Sequence, residues 1–127
     1  MGNDVIPIVA AVDDDFRIRE SMASLLESAG YTPLVFPSAE ELLESGTLAA
    51  ATCVITDVRM PGMDGIALHR RIRLERPALP VILISAHHDA EVRRLAIDEG
   101  AVDFLYKPFD PTELLKTVQS ALTKFAR

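Results

Sequence analysis

Cysteine is almost missing from this chain: Cys53 is the only one among 127 residues, so no internal disulfide can form. Its neighbours Thr52, Val54 and Ile55 read as a buried strand rather than a reactive thiol site, and a reducing, cytoplasmic compartment is expected. Basic residues are also short. Lys and Arg total 13 against 19 Asp and Glu, a net charge of −6, which removes the general attraction on which non-specific nucleic-acid binding depends. Direct DNA binding is therefore not expected. No apolar run approaches the roughly 18 residues of a membrane span. The amino terminus, Met1-Gly2-Asn3-Asp4, has no basic segment ahead of an apolar one and does not read as a secretory signal. Ile6 stands where a myristoylation motif needs Ser or Thr. Internal repeats, low-complexity tracts and linkers are absent too, so a soluble chain forming one domain over residues 1–127 is expected.

What is present is an alternation of short apolar runs with longer amphipathic stretches, the sign of an α/β domain with a parallel sheet. Strand candidates are Ile6 to Val12, Thr32 to Phe36, Cys53 to Thr56, Val81 to Ile84 and Val102 to Tyr106. The central ones are nearly all apolar, as a sheet covered on both faces requires. Helices are expected at Phe16 to Ala29, stopped by Gly30, then after Ser38, at Gly65 to Glu75, at Asp89 to Glu99 and from Asp110 onward. Ser38-Ala39-Glu40-Glu41 reads as a capping box, and Asp110-Pro111-Thr112-Glu113 as a cap with proline at the first helical position. Leu114, Leu115, Val118, Leu122 and Phe125 make the apolar stripe of the last helix. Five strands and five helices in this order fit a flavodoxin-like (βα)5 doubly wound sheet with strand order 2-1-3-4-5.

In open parallel sheets ligands sit at the carboxyl ends of the strands. The first strand here ends in Asp13-Asp14-Asp15, the third in Asp57, the fourth in Ser85-Ala86 and the fifth in Lys107-Pro108. Carboxylates, a hydroxyl and an ammonium thus converge on one edge. Close carboxylates repel unless a hard divalent cation such as Mg²⁺ lies among them. Asp13, Asp14 and Asp57 would then be balanced by Mg²⁺ and Lys107. A carboxylate neutralised in this way can attack phosphorus while metal and ammonium stabilise the equatorial oxygens, giving an aspartyl phosphate at Asp57.

These residues resemble the response-regulator receiver domain of two-component signalling, and among its members the FixJ-type transcriptional regulators. The motifs that carry the resemblance are Val12-Asp13-Asp14-Asp15, the run from Thr56-Asp57-Val58-Arg59 through Met60-Pro61-Gly62-Met63 to Asp64-Gly65, then Ile84-Ser85-Ala86, and Asp103-Phe104-Leu105-Tyr106-Lys107-Pro108-Phe109. The resemblance implies that Asp57 accepts a phosphoryl group from a sensor histidine kinase. Asp14, Asp57 and the backbone carbonyl of Arg59 would bind Mg²⁺, with Asp13 acting largely through water. Lys107 would hold a phosphoryl oxygen, Ser85 would move to bond another, and the Lys107-Pro108 peptide would be cis. Phe104, three positions before the lysine, would be the aromatic switch, distinct from Tyr106 on the same strand face. Arg59 and His87 would tune the lifetime of the phosphate. The output face would combine the fourth helix, fifth strand and fifth helix, with dimerisation on phosphorylation open. A DNA-binding domain would follow beyond this chain; a single-domain receiver acting on another protein is the alternative.

Each motif has a plainer reading. An acidic triplet is more often a solvated turn or a cap, and Asp15 is expected to cap the first helix. His87-His88 reads as a solvent-facing loop, because no second cluster offers metal partners. The basic stretch His69-Arg70-Arg71-Ile72-Arg73 reads as the solvated face of an amphipathic helix whose apolar side carries Leu68, Ile72 and Leu74. Other functions on this fold are a flavin-binding electron carrier, disfavoured because Asp13 to Asp15 would repel an anionic phosphate, and a Mg²⁺-dependent phosphatase, disfavoured because Arg59 stands where a second aspartate would act as acid. A phosphate-independent interaction module is the remaining alternative.

Overall fold

The computed structural model describes residues 6–125; the readings placed on Met1-Gly2-Asn3-Asp4 and on the Phe125 side chain lie outside the described part. The strands are β1 (Ile8–Val12), β2 (Thr32–Phe36), β3 (Cys53–Asp57), β4 (Val81–Ser85) and β5 (Asp103–Tyr106). They form one sheet in the order β2-β1-β3-β4-β5, every pairing parallel. The helices are α1 (Phe16–Ser28), α2 (Ala39–Ser45), α3 (Gly65–Glu75), α4 (Ala90–Asp98) and α5 (Pro111–Phe125), with a short 3-10 turn at Thr47–Ala49.

Period-two alternation divides the core between the two faces of the sheet. Ala10, Val12, Val54, Leu83 and Phe104 enter one layer with Leu42 of α2 and Leu68 and Ile72 of α3. Val9, Ala11, Ile55, Ile82, Ile84 and Leu105 enter the other with Met22 and Leu26 of α1 and Leu114 and Val118 of α5. Strands β3 and β4 are buried along their whole length because both faces are covered.

Side chains set the element boundaries. Asp15 caps α1 by accepting the Arg17 N–H at 2.9 Å, and Asp89 caps α4 by accepting those of Glu91 and Val92, which places it outside the helix. Gly30, at φ +90°, ends the first helix while the Tyr31 N–H closes on the Leu26 carbonyl. Asp57 belongs to the ladder of β3, paired with Ile84, rather than to the loop after it.

Two expectations for α3 change. Leu74 is 82% exposed, because two residues past Ile72 is the opposite side of a helix. His69, one turn before Ile72, is 2% exposed and belongs to the buried side. The arginines do face solvent: Arg70 pairs with Glu99 at the end of α4, and Arg71 with Glu75.

Candidate functional site

The register of the central strands brings the chemistry together. Val12 lies beside Thr56, so the residues that follow, Asp13 and Asp57, leave neighbouring strands at one level. Ser85 ends β4 opposite Tyr106 of β5, and Lys107 follows directly. The Lys107-Pro108 bond is cis.

The Lys107 ammonium lies 2.7 Å from Asp13 Oδ2 and 3.3 Å from Asp57 Oδ2. Asp13 is fully buried and Asp57 is 6% exposed, whereas Asp14 is exposed. Among the described residues no donor other than this ammonium serves Asp13 Oδ2. Asp13 Oδ1 accepts the Asp15 N–H at 2.9 Å, and the Asp13 carbonyl accepts from the Arg19 guanidinium at 2.8 Å. These bonds fix the turn after β1 and with it the carboxylate.

Burial pushes the Asp57 carboxyl above its ordinary value, and the Asp13 charge adds to the rise while Lys107 opposes it. Burial works against the Lys107 charge as well, but the bond to Asp13 and the fields of both carboxylates outweigh it and hold the ammonium above its usual value.

Ligand oxygens of Asp13, Asp14 and Asp57 lie within 4.8 Å of one another. With the single ammonium that touches them, the three carboxylates leave a net double negative charge. Hard oxygen donors, that charge and the under-served Asp13 Oδ2 fit a small divalent cation of the Mg²⁺ kind.

Around this centre stand the remaining residues singled out by the sequence. Ser85 is 3% exposed, and its hydroxyl donates to the His87 carbonyl at 3.2 Å and accepts the His87 N–H at 3.0 Å. Arg59 and His87 are exposed and line one cleft of about 260 Å³ together with Ser85, Asp64, Asp89 and Val92. Phe104 is buried and meets the Tyr106 ring edge-on, with centroids 5.5 Å apart. Tyr106 in turn stacks on His88 at 4.1 Å.

Three residues have work here that sequence reading did not assign. Gly65 opens α3 against the back of Asp57: a Cβ there would lie 2.1 Å from the Asp57 carbonyl oxygen. Thr56 is buried beside it and donates its hydroxyl to the same carbonyl at 3.0 Å. Glu40, in the first turn of α2, accepts the Met63 N–H at 2.9 Å. A glycine at the start of a helix, where no special backbone freedom is needed, was the available signal for Gly65.

The profile of the response regulator receiver domain matches residues 9–119. The chain is 43% identical over 118 residues to the C4-dicarboxylate transport transcriptional regulatory protein DctD of Rhizobium meliloti, covering 93% of this chain and 26% of that protein. To the transcriptional regulatory protein FixJ of Bradyrhizobium diazoefficiens it is 37% identical over 114 residues, 90% of this chain and 56% of that one. The chain thus spans between about a quarter and somewhat over half the length of these relatives. Among solved structures, a response regulator receiver domain protein from Clostridium thermocellum superposes with a TM-score of 0.89 at 29% identity, covering 94% of this chain and 96% of the other.

Proposed function

The chain belongs to the response regulator receiver domain family, and from that premise we propose that it is a phosphorylation-controlled switch whose acceptor is Asp57. One observation carries the reading: carboxylates from two strand ends, Asp13 and Asp57, share the Lys107 ammonium at 2.7 and 3.3 Å, with Asp14 close enough to complete a cation site. The phosphoryl donor is a phosphohistidine of a sensor histidine kinase. An Asp57 oxygen forms the bond to phosphorus as the donor's P–N bond breaks, and the electron pair of that bond leaves with the imidazole, which takes a proton from solvent. Asp14, Asp57 and the Arg59 carbonyl would hold Mg²⁺, with Asp13 acting largely through water, and the bound ion would supply charge compensation on the equatorial oxygens.

The chain's own groups do the rest. Lys107 gives up part of its contact with Asp13 to hold a phosphoryl oxygen. Ser85 exchanges its bonds to the His87 main chain for a bond to another phosphoryl oxygen. That exchange frees the β4–α4 loop, and the buried Phe104 repacks beneath it. The consequence is read on the face formed by α4, β5 and α5, where two copies of the phosphorylated chain would meet. This is a signalling role, with self-dephosphorylation the only turnover: water attacks the aspartyl phosphate, and Arg59 and His87, facing one cleft beside it, slow that attack by shielding it. The relatives named above are transcriptional regulators, and the role proposed is the input part of such a regulator, whose DNA-binding domain lies outside this chain.

The test is intact mass after incubation with acetyl phosphate and Mg²⁺. The expected result is one phosphoryl adduct that needs the metal and is absent in Asp57→Asn, and that decays faster in Arg59→Ala and in His87→Ala. Absence of an adduct from both acetyl phosphate and a phosphorylated histidine kinase, in a folded protein, would overturn the reading in favour of phosphate-independent interaction. Unchanged decay in both variants would remove the shielding role alone.

A further inference from the structure

The loop between β3 and α3 carries Arg59, whose carbonyl is a proposed metal ligand, yet most of that loop is exposed. Its ends are tied: the Val58 N–H donates to the Ile84 carbonyl at 2.9 Å, and the Gly65 N–H to the Val58 carbonyl at 2.8 Å. Met60 is buried in the core layer beneath, which holds the near half of the loop. Its far half, Pro61-Gly62-Met63, donates a hydrogen bond to only one other element among the described residues. That bond is made by Glu40, 23 positions earlier in the chain, whose Oε2 accepts the Met63 N–H at 2.9 Å.

The approach is close enough to depend on glycine. Gly62 has φ +75°, and a Cβ on it would lie 2.6 Å from Glu40 Oε2. The loop therefore turns in a left-handed conformation and presents a bare Cα to the carboxylate, which sits against the turn and takes the next N–H. The Met63 bond also holds the Glu40 carboxyl below its ordinary value, so the acceptor is an anion at neutral pH. Glu40 lies outside the carboxylate cluster formed by Asp13, Asp14 and Asp57, so it is not a ligand.

We propose that Glu40 is a positioning residue for the metal: by clasping the tip of the β3–α3 loop it holds the Arg59 segment in order before Mg²⁺ arrives. The proposal rests on the function given above. A loop already ordered loses less conformational entropy when the cation binds, so the clasp raises affinity without touching the ion. Helix α2, which contributes nothing else to the site, is thereby made part of it.

Calorimetric titration of the folded chain with Mg²⁺ tests this, with the Met63 amide signal in the NMR spectrum reporting the clasp. Glu40→Asp keeps the charge but shortens the reach, and is expected to shift the Met63 amide and weaken Mg²⁺ binding about fivefold, the equivalent of one ordinary hydrogen bond. Glu40→Ala is expected to weaken it to a similar degree, and Glu40→Gln, which keeps an acceptor of full length, to stay within about twofold of the parent. Parent-like affinity in Glu40→Asp with the Met63 amide displaced would overturn the proposal, as would a loss in Glu40→Gln and Glu40→Ala but not in Glu40→Asp, which would mark a field effect. A parent chain that takes up no Mg²⁺ at all fails the functional reading itself, which is a different outcome from an unaltered affinity in the variants.

Discussion

A single missing side chain, that of Gly65, decides how the first turn of α3 meets Asp57. The backbone there is ordinary, so the constraint is space: a methyl group would fall 2.1 Å from the Asp57 carbonyl oxygen and 3.0 Å from the Val58 Cα. Backbone atoms cannot give way as a flexible side chain can. Gly65→Ala is therefore expected to cost about 3 kcal/mol of stability, read by urea unfolding, and to slow formation of the Asp57 adduct because the acceptor's strand end must move. A variant as stable as the parent would show that the helix can slide away at little cost. Asp13, Asp14, Asp57, Ser85 and Lys107 were legible in the sequence because each ends a recognisable apolar run. Glu40 was legible only as part of a cap. Ser38 does cap α2, accepting the Glu41 N–H at 3.1 Å, but the acid with a distant partner is Glu40, and its partner lies 23 residues away.

Between elements, the packing of α3 against the end of α4 holds a buried imidazole. Among the described residues His69 Nδ1 has no hydrogen-bond partner, and burial pushes its pKa below the ordinary 6.5. The nearby Arg73 charge lowers it further; Glu99 opposes this and Arg70 adds to it. The folded state then binds fewer protons at this site than the unfolded chain does, so its contribution to stability is complete above 6.5 and is lost progressively as pH falls below 6.5 through the lower folded value. Denaturant unfolding across that range should show the parent losing stability more steeply than His69→Leu. Parallel curves would mean that the imidazole finds a partner when protonated. The solvated face expected for His69 to Arg73 is formed by the arginines alone, and the histidine is buried. Helical spacing puts His69 beside Leu68 and Ile72, but residue type argued for solvent, and only packing decided between them.

Across the whole molecule, the edge of the sheet is joined to the α4–β5–α5 face, the output face proposed above, by a continuous series of contacts. Ser85 holds the His87 main chain, His88 stacks on Tyr106 at 4.1 Å, and Tyr106 meets Phe104 edge-on. If phosphorylation draws the Ser85 hydroxyl away from His87, the His88 ring should leave Tyr106. The measurement is the position of the His88 ring signals by NMR: on phosphorylation they should move toward the positions they take in Tyr106→Leu, where no stack shields them. Signals unmoved by phosphorylation would confine the switch to Phe104. The same scale shows what the net charge of −6 means. The acidic excess has its chemical focus in three carboxylates at one strand edge, balanced in part by a single lysine.

The sequence by itself determined the order of strands and helices, because apolar periodicity and caps are local, and it determined which chemical groups stand at the strand ends. It also determined the parallel sheet and its order 2-1-3-4-5, once the alternation of elements was read with the motifs at their ends. Only the tertiary structure decided that Lys107 sits closer to Asp13 than to Asp57, that Glu40 rather than Glu41 reaches the β3–α3 loop, that His69 is inside while Leu74 is outside, and that His88 lies on Tyr106. Each of these depends on distances between segments far apart in the chain. Residue type and spacing say what a side chain can do, and the packing of whole elements says which neighbour it does it with.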